Sequence, residues 1–142
     1  MIENNKVPES DKFFPHMMPN DKTIWLRFLE AHSDMFDKYD YDVRVGDGVE
    51  SINPVPAEYQ KMITALTQKR IDVVATKGSV VYVIEVKPDA GLSAFGQIQA
   101  YEYLFRYTWK YQGELNKVVI TDSIDPDTML VMLENDVIVY VV

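Results

Sequence analysis

Apolar residues recur at helical spacing through Ile24, Trp25, Phe28, Leu29 and His32. That pattern predicts an amphipathic helix over residues 22–36, capped by Asn20 or Asp21. Tyr39 to Val45 alternates apolar and polar residues and reads as a strand, ended by the turn Gly46-Asp47-Gly48. Pro54 and Pro56 mark a loop. Ala57 to Leu66 is predicted as a short helix with Met62, Leu66 and Tyr59 on its inner face. Arg70 to Ala75 and Val80 to Val86 are strands joined by Lys77-Gly78-Ser79 into a hairpin. The second is almost wholly apolar and rich in β-branched residues, the pattern of a central strand covered on both faces.

Pro88 and Gly91 then break the chain. Ala94 to Tyr111 is the longest helical pattern, carrying Phe95, Ile98, Tyr101, Leu104, Phe105 and Trp109. Lys117 to Thr121 is another short buried strand, Pro126 to Leu133 a helical turn, and Val137 to Val142 a final strand. This order predicts an α/β layer structure with a mixed central sheet. Residues 1–20 hold Pro8, Pro15 and Pro19 without periodicity and read as an irregular arm. Residues 21–142 are expected to form a single domain.

A chain of 142 residues suits one domain. No apolar run approaches the roughly 18 residues of a membrane span. The polar start, Met1 to Lys6, does not read as a signal peptide, so a cytoplasmic location and no membrane partner are the default expectations. The chain has no Cys, which excludes disulfides, thiolate catalysis and thiolate zinc sites. Its net charge of −8 argues against a nonspecific nucleic-acid binder. The charge is uneven, however. Residues 61–87 carry five basic and two acidic side chains, the only basic segment, against −6 for residues 1–60 and −5 for residues 121–142.

That basic segment holds the chemistry. Glu85 and Lys87 fall on one face of a strand, with Ile84 and Val86 on the other. Their Cα atoms lie about 6–7 Å apart from the rise per residue. Asp72, on the adjacent antiparallel strand, reaches the same end of the sheet if the pairing is slightly staggered. Two carboxylates offer the oxygen ligands that hard divalent cations prefer, and the Val86 carbonyl is a further candidate ligand. A metal there polarises a phosphate and lowers the pKa of bound water, while Lys87 stabilises negative charge or helps deprotonate that water. Lys69, Arg70 and Arg44 are candidate phosphate contacts. His16 and His32 are not at metal-ligand spacing with the acids, and His32 belongs to the packing face of its helix.

Asp72 together with Glu85-Val86-Lys87, the flanking apolar strands and the following helix resembles the PD-(D/E)xK nuclease superfamily, over roughly residues 22–121. Gln97 and Tyr101, four apart on one helix face, resemble the Gln-x-x-x-Tyr element of its RecB-like branch. Ile71 stands where the family name has proline. The resemblance implies a restriction-endonuclease-like three-layer α/β fold. It also implies a Mg²⁺- or Mn²⁺-dependent nuclease, with Asp72, Glu85, Lys87, Gln97 and Tyr101 in the active site. A glutamate on the first helix often joins the site in this family. Glu30 is the candidate, and Asp34 and Asp37 could serve instead. DNA is the favoured substrate over RNA, and a homodimer or larger assembly is compatible. The alternative is a catalytically silent nuclease-fold module that binds or scaffolds with a partner protein, which the acidic balance favours.

Overall fold

The computed structural model describes residues 17–142. The predicted arm therefore lies almost wholly outside the described residues, as do His16, Pro8 and Pro15. The elements run α1 (Pro19–Ala31), β1 (Lys38–Val45), α2 (Ala57–Thr67), β2 (Lys69–Lys77), β3 (Val80–Val86), α3 (Leu92–Trp109), β4 (Leu115–Thr121), α4 (Pro126–Glu134) and β5 (Val137–Val141). Helix α1 begins three residues before the predicted boundary, because Pro19 suits the first helical turn. Its N-cap is Met18, without a side-chain cap, and Asp21 lies inside the first turn instead of capping it.

The five strands form one sheet in the order β1-β2-β3-β4-β5. The β1–β2 and β2–β3 pairs are antiparallel, and β3–β4 and β4–β5 are parallel. The sheet is mixed, and β3 is its central strand, as the apolar run from Val80 to Val86 predicts. One face packs on α1 through Trp25, Phe28 and Leu29 against Val73, Ile84, Val86 and Ile120. The other packs on α3 and α4 through Ala94, Ile98, Phe105 and Met132 against Val83, Val119 and Val137. This three-layer α/β arrangement is the fold class read from the sequence. His32 packs its ring on Phe28 and Tyr140.

Helix α2 departs from the reading. None of its residues is buried. Tyr59, Met62 and Leu66, expected on an inner face, are 54%, 54% and 67% exposed. Polar side chains hold the helix instead. Gln60 donates to the Val49 carbonyl and accepts from Ser51 N–H, and Thr67 accepts from Val49 N–H. Gly48, at φ +69°, lets the loop pass so close that a Cβ would stand 2.7 Å from the Thr64 carbonyl oxygen.

The β1–β2 ribbon also breaks its alternation. In β1, Tyr39 and Tyr41 pack on the α1 side, but Val43 and Val45 pack on the α3 side. In β2, Val73 packs on the α1 side and Ile71 on the α3 side. Residues two apart on a regular strand share a face, so both strands change face across Asp42 and Asp72. Asp42 adopts φ +53°, a left-handed conformation that Asp tolerates better than most residues. Breaks of this kind re-aim side chains and concentrate near active sites.

Candidate active site

Asp72 sits at that break. The β2–β3 register runs through Val73↔Ile84, and continuing it by one residue sets Asp72 across from Glu85. Asp72 Oδ2 accepts the Val86 backbone N–H at 2.9 Å. A side-chain carboxylate has thus replaced the next backbone acceptor at the end of the ladder, which fixes its position against β3.

Glu85 is 3% exposed, one of few buried polar side chains among the described residues. Its carboxyl lies in hydrogen-bonding contact with that of Asp72. Burial, then that contact and the Asp72 charge, push the Glu85 pKa well above the usual carboxylate range, while Lys87 pulls it down. A buried carboxylate facing a second one needs a cation between them, either a proton or a metal. The donors are oxygens only, which fits a hard divalent ion. Among the described residues no three His, Asp or Glu side chains converge as a ready-made cage. The residues that could hold a metal are therefore Asp72 and Glu85, with the Val86 carbonyl as the further candidate.

Lys87 is half-buried. Its backbone N–H donates to the Ile120 carbonyl at 2.9 Å, which anchors the strand end to β4. Its ammonium acts electrostatically on Glu85 and on Asp21. Asp21 is the residue that sequence reasoning missed. Its pKa is raised, first by burial and then by the Asp72 charge, with Lys87 opposing. The first-helix acid that feels the Asp72 charge is thus Asp21. Glu30 is exposed, nine residues and about 13 Å further along the helix by its rise. Asp37 turns to Gly78 N–H and Lys77 at the β2–β3 turn. The signal for Asp21 was present as an acid in a first helical turn, where a capping role explained it equally well.

On α3, Tyr101 is 8% exposed. Its phenol pKa is raised by burial and then by the Glu85 and Asp72 charges. Gln97 lies one turn earlier, and its Oε1 is buried with no hydrogen-bond partner. The register sets Arg44 opposite Arg70 on one face and Lys69 opposite Val45 on the other, with Arg70 and Lys69 two and three residues from Asp72.

Fold and site together define a three-layer α/β domain with paired carboxylates and a lysine at the end of its central strands. No family model matches the chain, and no curated protein matches it. Among solved structures it is similar to the crystal structure of a repair endonuclease from Pyrococcus abyssi, at 10% identity and a TM-score of 0.44. That likeness covers 96% of this chain and 48% of the endonuclease chain, so this chain spans about half its length.

Proposed function

We propose that this chain is a Mg²⁺- or Mn²⁺-dependent nuclease that hydrolyses phosphodiester bonds, with DNA favoured over RNA. The observation that carries the reading is the buried Glu85 carboxyl held against Asp72 with Lys87 beside both. A half-buried lysine and a buried carboxylate pair cost stability unless something compensates them, and a phosphodiesterase uses all three. A divalent cation bound by Asp72 and Glu85 would polarise the phosphate and acidify a water. The chain's own groups do the rest. Asp72 is held in place by Val86 N–H, Lys87 meets the negative charge that develops on the phosphate, and Tyr101 and Gln97 wall the acids on the α3 side. Arg44, Lys69 and Arg70 supply positive charge for the backbone of an incoming strand on an otherwise acidic protein.

A cleavage panel tests this: single-stranded, duplex, flapped and branched DNA and RNA, each with Mg²⁺ or Mn²⁺ and with chelator. Metal-dependent cleavage that Glu85→Gln abolishes is the expected result. The net charge of −8 favours a second reading, a silent nuclease-fold module working with a partner. Metal binding at the acids without cleavage of any member of the panel would select it.

A further inference from the structure

Past the end of β3 the chain turns through Pro88, Asp89, Ala90 and Gly91 into α3. This link sets where Lys87 stands and where the helix carrying Gln97 and Tyr101 begins. Pro88 has no N–H, and the other three N–H groups from Lys87 to Ala90 all donate to the end of β4 and the loop after it. Lys87 donates to the Ile120 carbonyl at 2.9 Å, and Ala90 to the Ser123 carbonyl at 2.8 Å. Asp89 donates to Asp122 Oδ1 at 2.8 Å, and its own carboxylate accepts from Ser123 Oγ at 2.9 Å. Asp89 is held at φ +45°, a left-handed conformation that persists where the surroundings fix it.

Thr121, the last residue of β4, sits inside this clasp and is 0% exposed. Its hydroxyl donates to the Ser123 carbonyl at 2.8 Å and accepts the Ala90 and Ser123 N–H groups at 3.2 and 3.3 Å. The donor and both lone pairs are therefore in use. The β3–β4 register runs to Val86↔Ile120. The Lys87 bond to the Ile120 carbonyl continues it by one residue, which sets Lys87 across from Thr121 on a strand about 4.8 Å away. Val83 and Val119 pack on the α3 side, so alternation puts Lys87 and Thr121 on that same face, beside Glu85. The hydroxyl that holds the turn is the lateral neighbour of the lysine.

We propose that Thr121 is a positioning residue for Lys87, an assignment that rests on the nuclease reading. A lysine is a point charge on a flexible stem, and at a strand end its backbone is free to swing unless the turn after it is fixed. The Thr121 hydroxyl fixes that turn at Ala90 and at the Ser123 carbonyl to which Ala90 is bound. It thereby holds the ammonium toward the Asp72–Glu85 pair at the distance the reaction uses. A side chain that only filled this space would be served as well by valine, which has the same shape and none of the three hydrogen bonds.

A double-mutant cycle on the full chain tests it, run with Mn²⁺ on whichever nucleic acid of the cleavage panel wild type cuts. Thr121→Val removes the hydroxyl and keeps the shape, with Thr121→Ala as a second hydroxyl-free variant should valine not fold. The loss should be about 10–100-fold in kcat, with KM changed by less than about twofold and faster hydrogen exchange at the Asp89 and Ala90 amides. Thr121→Ser, which keeps the hydroxyl and loses the methyl group, should retain the wild-type rate. In a Lys87→Ala background Thr121→Val should cost no more than about twofold, because the group it positions has gone. Three results would overturn the assignment while leaving the nuclease reading in place. One is a hydroxyl-free variant at the wild-type rate. Another is Thr121→Ser as slow as Thr121→Val, which would make methyl packing the cause. The third is the same fold-loss with and without Lys87, which would mean that Thr121 acts on the fold as a whole. A wild type that cuts no member of the panel would overturn the nuclease reading and this assignment together.

Discussion

The Asp72 carboxylate takes the Val86 backbone N–H at 2.9 Å, in the place where the β2 backbone would have continued the ladder. A side chain doing the work of a main chain is held more rigidly than one packed on a surface. This contact sets one acid of the site against the strand that carries the other acid and the lysine.

Removing the lysine should separate catalysis from metal binding. Loss of one preorganised electrostatic group typically costs about 10²–10³ in rate. Lys87→Ala should lose cleavage by that factor, keep its Mn²⁺ affinity, and melt no lower than wild type because a half-buried cation has gone. Turnover, calorimetry and melting on one preparation decide it. A fully active variant would falsify the mechanism.

The raised Glu85 pKa predicts the pH dependence of stability. The folded value lies above the ordinary 4.5, so the folded state keeps a proton that the unfolded chain has released. Stability is fully present below about pH 4.5 and declines as pH rises toward the folded value. Each pH unit in that window costs up to about 1.4 kcal/mol. In chelator, Glu85→Gln should therefore gain on wild type steadily between pH 5 and 7, read by denaturant melts. Adding Mn²⁺ should shrink the gap, because the ionised pair then has a metal to bind. Parallel curves for the two proteins would contradict the buried pair.

Two acids on α1 can be told apart. Asp21 feels Asp72 and Lys87, and Glu30 is exposed. Asp21→Asn should lower metal affinity or cleavage about 10–100-fold, the usual effect of an acid that supports a metal site. Glu30→Gln should change neither by more than about twofold, since surface substitutions are usually near neutral. The reverse ranking would move the helical acid back to Glu30.

Gly48 anchors α2, which has no buried residue to hold it. A left-handed conformation costs a residue other than glycine about 1–2 kcal/mol, and the added Cβ also meets the Thr64 carbonyl. Gly48→Ala should lower global stability by roughly 2 kcal/mol and speed hydrogen exchange in α2 above the rest of the fold. Exchange unchanged in α2 would show that the loop does not tether it.

Elements that bury a stripe were legible because their periodicity is set by the same burial. Val80 to Val86 reads as a central strand and is one, and the face of α1 follows Ile24, Trp25, Phe28 and Leu29. Helix α2 failed the same test. Periodicity identifies which side of a helix is apolar but not whether any surface waits to cover it, and Tyr59, Met62 and Leu66 face outward.

For the candidate site, the sequence by itself determined which groups are present: two acids and a lysine at strand ends, a glutamine and a tyrosine one helical turn apart, and a basic stretch in an acidic chain. These are local facts, readable from spacing along one strand or one helix. Only the tertiary structure decided that Asp72 accepts from the Val86 N–H, that Asp21 feels Asp72 and Lys87 while Glu30 is exposed, and that Arg44 stands opposite Arg70. Those relations depend on register and on a change of face at Asp42 and Asp72. Register is settled by the packing of whole faces against α1 and α3, an energy shared by many distant residues and written in none of them singly.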